Sequence, residues 1–188
     1  MKTIYTSDSE PISADILTRD FLKQPGQIAM TIAPGKRDEE ADVIWKRDLK
    51  VDLDRLREHY DVDRLVCLLE EDELEHLGIP DLLAQAQARG IQTEHLPIPD
   101  EGLPASMEVF SALVNQVVGA LASGETVLIH CKGGRGRTGM VAAACLVQLG
   151  YSPVDAIAAI QQVRSGALSV ALKRDYIHQF QNARNSQS

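Results

Sequence analysis

Between Val127 and Gly139 an apolar run gives way to His130, Cys131, Lys132, Gly133, Gly134, Arg135, Gly136, Arg137 and Thr138 before a second apolar run begins. Glycines allow the backbone to curl until successive N–H groups converge on one anion. A helix starting near Thr138 adds the positive end of its dipole, which suits a dianionic phosphate. Cys131 opens this loop. In positive surroundings a cysteine is deprotonated more easily, and a thiolate beneath a bound phosphoryl group is a nucleophile. Arg137, six residues on, has the planar fork that lets it return across the loop and bind two phosphate oxygens at once. The Thr138 hydroxyl can donate to the sulfur and ease its departure from a phosphocysteine, whereas His130 reads as a residue that orders the loop. A nucleotide-binding Walker loop would place Gly-Lys-Ser or Gly-Lys-Thr at the helix start, and Arg137 stands in the lysine position instead.

Hydrolysis of a phosphate ester also requires a proton for the leaving oxygen, which a thiolate cannot supply. Asp100, in Pro97-Ile98-Pro99-Asp100-Glu101-Gly102, follows a predicted strand and is the expected general acid; Glu101 is the alternative. Lys132 and Arg135 add charge beside the phosphate. They either meet further phosphates of a substrate or point into solvent. Lys132, Gly133, Gly134, Arg135, Gly136 and Arg137 form the expected phosphate-binding set.

These residues require an edge to stand on. Short aliphatic runs at Ile28–Ile32, Leu65–Leu69, Thr93–Ile98 and Thr126–His130 read as strands. Phe110, Leu113, Val114, Val117, Val118 and Leu121 share one face of a helix. Ser152-Pro153 starts a helix that runs to about Arg164, and a last helix covers about Val170 to Ala183. Alternating strands and helices predict an α/β fold with a mostly parallel central sheet and helices on both faces. Ligands then bind where strand C-termini meet helix N-termini. Residues 1–26 are expected to pack on a catalytic domain at 27–184, followed by a frayed tail at 185–188. The acidic run Glu70, Glu71, Asp72, Glu73 and Glu75 reads as a solvated loop.

The 188 residues are 44% hydrophobic, enough for one substantial core. A net charge of −8 disfavours nucleic-acid binding. Three cysteines without a Cys-x-x-Cys pair argue against a disulfide framework or a zinc site. No metal or cofactor is expected. The start of the chain lacks signal-peptide character and no apolar stretch approaches the ~20 residues of a membrane span, so a reducing cytoplasm fits. Cys67, on a strand that can neighbour the catalytic loop, is weighed as an oxidative rescuer of Cys131 against a plain core residue.

His130-Cys131-x-x-Gly134-x-x-Arg137-Thr138 resembles the signature loop of the protein tyrosine phosphatase superfamily, and Asp100 matches its mobile acid loop. Gly35-Lys36, Gly78 to Leu83, Pro97-Ile98-x-Asp100-x-Gly102 and Tyr176 to Phe180 are similar to the kinase-associated phosphatases of the cyclin-dependent kinase inhibitor 3 family. That resemblance spans about Ala33 to Phe180. It implies the cysteine-phosphatase α/β fold, dual specificity, no metal, and phosphorylated tyrosine, serine or threonine in a protein substrate, a kinase among the candidates. The basic residues Lys132 and Arg135 are more like inositol-phosphate phosphatases, which keeps that substrate class open. A non-catalytic phosphate-recognition module and another Cys-x5-Arg enzyme, such as a sulfurtransferase or arsenate reductase, are the remaining readings.

Overall fold

The computed structural model describes residues 2–186. In chain order its elements are β1 (Ile4–Thr6), β2 (Asp15–Leu17), α1 (Arg19–Leu22), β3 (Gln27–Thr31), β4 (Arg37–Asp38), β5 (Ile44–Lys46) and α2 (Leu49–Tyr60). Next come β6 (Arg64–Cys67), α3 (Glu71–His76), α4 (Leu82–Gln87), β7 (Gln92–His95) and α5 (Met107–Ala122). The chain closes with β8 (Thr126–His130), α6 (Gly136–Gln148), α7 (Pro153–Val163) and α8 (Ala171–Asn185).

The main sheet has the order β2-β3-β8-β6-β7. β3, β8, β6 and β7 run parallel, and only the edge strand β2 is antiparallel. Side chains alternate across this sheet with the period of two that strands impose. Ile28, Met30, Val66, Leu68, Val127 and Ile129 face a core shared with α5, α6, α7 and α8. Ala29, Leu65, Cys67 and Leu128 face a second core completed by α2, α3 and α4. β8 is buried along its whole length, as its uninterrupted Thr-Val-Leu-Ile-His sequence requires of a strand covered on both faces. α6 is buried from Arg137 to Val147, which makes it the central helix.

Local chemistry sets the helix starts. The Ser152 hydroxyl accepts from Asp155 N–H with Pro153 in the first turn, and Ser106 caps α5 by accepting from Val109 N–H. α2, which the sequence reading left unassigned, starts at Asp48, whose carboxylate accepts from two amides.

Two expectations require correction, and one feature was not expected. The acidic run at residues 70–75 is a helix with a reciprocal capping box between Glu70 and Glu73, not a solvated loop. Its Leu74 is buried in the second core. Asn185 belongs to α8 and Ser186 caps it, so the helix reaches one residue into the segment expected to be a frayed tail; residues 187–188 lie outside the described ones. A second sheet of order β1-β5-β4 has no counterpart in the predicted strands, because its strands are two or three residues long. The N-terminal segment joins both sheets, through β1 on β5 and β2 on β3. No helix among the described residues is long and apolar enough to cross a membrane.

Candidate active site

β8 ends at His130, and α6 begins at Gly136. The five-residue bridge between them, 131–135, forms one wall of a cavity of about 340 Å³, lined also by Lys36, Asp38, Ala41 and Asp100. The cavity opens at the C-terminal edge of the parallel strands, where an α/β sheet places its ligands.

Cys131 is 3% exposed at this cavity. Its Sγ accepts the Gly134 N–H at 3.2 Å. Gly134 has a φ of 65°, and a Cβ there would come within 2.1 Å of the Thr31 carbonyl oxygen, so the loop can pass β3 only at glycine. The loop is braced from outside by Arg164, which donates to the carbonyls of Gly133 and Gly134 and pairs with Asp15 at 2.6 Å.

Arg137 is 1% exposed and heavily engaged. Its Nη1 and Nη2 donate to the two Glu73 carboxylate oxygens at 2.6 and 2.8 Å, and Nη1 also donates to the Ile98 carbonyl at 2.8 Å. Burial on its own would favour the neutral guanidine, but Glu73, Cys131 and Asp100 outweigh it and hold Arg137 charged. Burial likewise works to raise the Glu73 carboxyl, yet Arg137 and the Glu70 amide bring it below the ordinary range. Nε of Arg137 is buried with no hydrogen-bond partner among the described residues, and so is the hydroxyl of Thr138. A buried donor without an acceptor is costly. Two such donors, on the residues expected to bind phosphate and to support the sulfur, are groups that an anion or a thiolate would satisfy.

Asp100 lies on the exposed loop after β7, with its Oδ1 3.0 Å from Nη2 of Arg137. Lys173, buried in α8, donates to the Asp100 carbonyl at 3.1 Å and holds that loop over the cavity. Glu101 is exposed and does not line the cavity. His130 is fully buried; burial, helped by Arg137 and His95, lowers it to about 4 against the pull of the Cys131 carbonyl, so it is neutral at pH 7. Its Nδ1 lies 3.3 Å from the Cys131 carbonyl oxygen, a contact that orders the loop.

Lys132 and Arg135 do not simply point into solvent. Lys132 pairs with the buried Asp38 at 3.0 Å, and Arg135 Nε donates to the Ser165 carbonyl at 3.2 Å. Burial would raise the Asp38 carboxyl, but Lys132 and the amides of Ala41 and Glu40 hold it below its usual range. Cys67 sits beside His130 in register on β6, yet its side chain belongs to the second core, while Cys131 belongs to the first. The two thiols therefore occupy opposite faces of the sheet. Burial pushes the Cys67 thiol up to about 12, as expected of a packing residue. Among the described residues no group of three or more His, Cys, Asp or Glu is placed to hold a metal ion.

Sequence reasoning missed Glu73, Arg164 and Lys173. The capping-box spacing of Glu70 and Glu73 was a signal for α3, though not for the pairing with Arg137.

With this geometry in view, likeness to known proteins becomes informative. Residues 7–162 match the family described as cyclin-dependent kinase inhibitor 3 (CDKN3). Cyclin-dependent kinase inhibitor 3 of Rattus norvegicus is 34% identical over 140 residues, covering 73% of this chain and 65% of the rat protein. The match thus spans less than two thirds of that relative's length. The crystal structure of a kinase-associated phosphatase, with its catalytic-site cysteine replaced by serine, superposes with a TM-score of 0.85 at 26% identity, covering 94% of this chain and 98% of that one. The active form of Tk-PTP gives 0.68 at 28% identity, covering 84% and 92%. The fold is that of the cysteine phosphatases, and the chain belongs to the cyclin-dependent kinase inhibitor 3 family.

Proposed function

We propose that this chain is a cysteine-dependent, dual-specificity protein phosphatase that hydrolyses phosphate monoesters of tyrosine and of serine or threonine. The observation that carries this reading is the buried Nε of Arg137, without a partner among the described residues, in the first turn of α6 beside the cavity-lining Cys131. In this mechanism the loop amides and Arg137 hold the phosphoryl oxygens. The Cys131 thiolate attacks phosphorus, the ester bond breaks, and Asp100 delivers its proton to the departing oxygen. A phosphocysteine results. Water, deprotonated by the Asp100 carboxylate, attacks the same phosphorus and releases inorganic phosphate, while the Thr138 hydroxyl stabilises the sulfur as it leaves. No step calls for a metal, and none for a cofactor.

The substrate is proposed to be a phosphorylated protein, with a kinase as the partner that the family name indicates. A turnover panel of phosphotyrosine and phosphothreonine peptides, run in chelator, tests the reading. Hydrolysis of both peptide types supports dual specificity. Turnover of neither peptide, with tight phosphate binding retained, would favour a recognition module.

A further inference from the structure

The mechanism proposed above assigns no role to the Lys36 ammonium. Lys36 lies in the connection from β3 to β4 and lines the cavity together with Cys131, yet the whole residue is only 5% exposed. Its backbone is fixed from both sides. Gly35 has a φ of 72°, donates its N–H to the buried Asp52 carboxylate at 2.7 Å, and would collide with Leu49 if it carried a Cβ. The Lys36 carbonyl in turn accepts from Arg47 N–H at 3.2 Å. The Lys36 ammonium stands 4.1 Å from the ring centroid of Trp45, the single tryptophan of the chain.

The other cations lining the cavity, and Arg47 behind it, are engaged. Arg47 is held by Asp52, Lys132 by Asp38, Arg135 by the Ser165 carbonyl, and Arg137 by Glu73 and Asp100. Lys36 alone of these has neither an ion pair nor a hydrogen bond from its ammonium among the described residues; only the indole face meets it. Burial lowers it to about 8, Asp38 and Cys131 work to raise it, and Lys132 and Arg47 push it down further. At pH 7 it is still charged. A desolvated ammonium without a counter-ion is unfavourable unless an anion arrives.

We propose that Lys36, assisted by Lys132, forms a second phosphate subsite beside the catalytic loop, so that the preferred substrates carry a second phosphoryl group close to the reacting one. This rests on the reading that the loop holds the first. The cavity, at about 340 Å³, exceeds what a single phosphoryl group fills. Two ammoniums face this wall against one carboxylate, Asp38, which leaves a positive surplus. Lysine acts as a point charge and binds phosphate without the fixed fork geometry of arginine. The second phosphate can come from neighbouring phosphoresidues of a peptide or from an inositol polyphosphate.

Trp45 is a built-in reporter for the test. In Cys131→Ser protein, its emission is followed while orthophosphate or pyrophosphate is added. Pyrophosphate should bind about 10- to 100-fold tighter than orthophosphate, the effect of one charged contact. Lys36→Met, which keeps length and volume, should bring the two affinities together. Without ligand, emission should change with pH near 8 in the parent and not in Lys36→Met. Pyrophosphate should move that transition upward, a measurement that needs no substitution at Lys36. Comparing kcat/KM for doubly phosphorylated peptides and inositol polyphosphates, with and without Lys36→Met, assigns the source of the second phosphate by which of them suffers the selective loss. Equal affinity for the two anions in Cys131→Ser, with monoester turnover by the protein that retains Cys131, would overturn the second subsite alone. Binding of neither anion would overturn the phosphate-loop reading and this proposal together.

Discussion

Glu73 grips Arg137 through both carboxylate oxygens, at 2.6 and 2.8 Å, across 64 residues of sequence. This paired contact turns the guanidinium so that its Nε is left for a ligand. An acidic residue on a short surface helix thus sets the geometry of the phosphate site.

Glu73→Gln should therefore loosen Arg137 while keeping a neutral hydrogen bond. The affinity of Cys131→Ser for orthophosphate and the kcat/KM of the otherwise native protein should both fall about 10- to 100-fold, in line with the ~1.5–3 kcal/mol of a charged hydrogen bond. A fall in Tm with phosphate affinity unchanged would make Glu73 only a structural partner.

Asp100→Asn should lose about 10²- to 10⁴-fold in kcat with a poor leaving group such as tyrosine. The loss should shrink with a leaving group of low pKa, which departs unaided. Equal losses on both would transfer the role to Glu101, and Glu101→Gln would then show the leaving-group dependence instead.

His130 makes a prediction about acid stability. Its folded pKa is depressed from 6.5 to about 4, so between those values the unfolded chain binds a proton that the fold excludes. Stability from the neutral imidazole is complete above pH 6.5 and is lost as pH falls toward 4, to a total of about 3 kcal/mol. Glu73, with a carboxyl held below its reference of 4.5, adds stability that is lost only at lower pH still. Thermal unfolding followed from pH 7 to 4 should show a falling Tm, and His130→Gln should flatten that slope. An unchanged slope would place the acid sensitivity elsewhere.

Opposite placement of Cys67 and Cys131 predicts that peroxide inactivates the enzyme without forming a bridge between them. Cys67→Ser should leave recovery by reductant as it was. A mapped Cys67–Cys131 disulfide would show that β6 and the loop rearrange on oxidation.

The parts of the site legible in the sequence were local ones. Cys131, Gly134, Arg137 and Thr138 lie within one strand-to-helix turn, so their spacing alone carries the anion cradle. Asp100 was accessible because it follows a strand at the same sheet edge. The parallel sheet followed from its β-branched runs, and α5 and α7 from apolar spacing and serine caps. Glu73, Arg164 and Lys173 were not legible, because each acts on a partner 30 or more residues away. In sequence they look like ordinary charged surface residues. α2 did carry a signal, the Asp48 cap with Leu49, Leu53 and Leu56 at helical spacing, although its charges obscure it. β4 and β5 carried none, since a two-residue Arg-Asp strand has no periodicity to read.

The central claim is that Cys131 attacks phosphorus, and the most direct measurement is rapid quench with a ³²P-labelled phosphotyrosine peptide followed by mapping of the labelled protein. The account predicts label on Cys131 alone, with the acid lability and alkali stability of a thiophosphate ester, and none in Cys131→Ser. Label on any other residue, or turnover retained by Cys131→Ser, would contradict it.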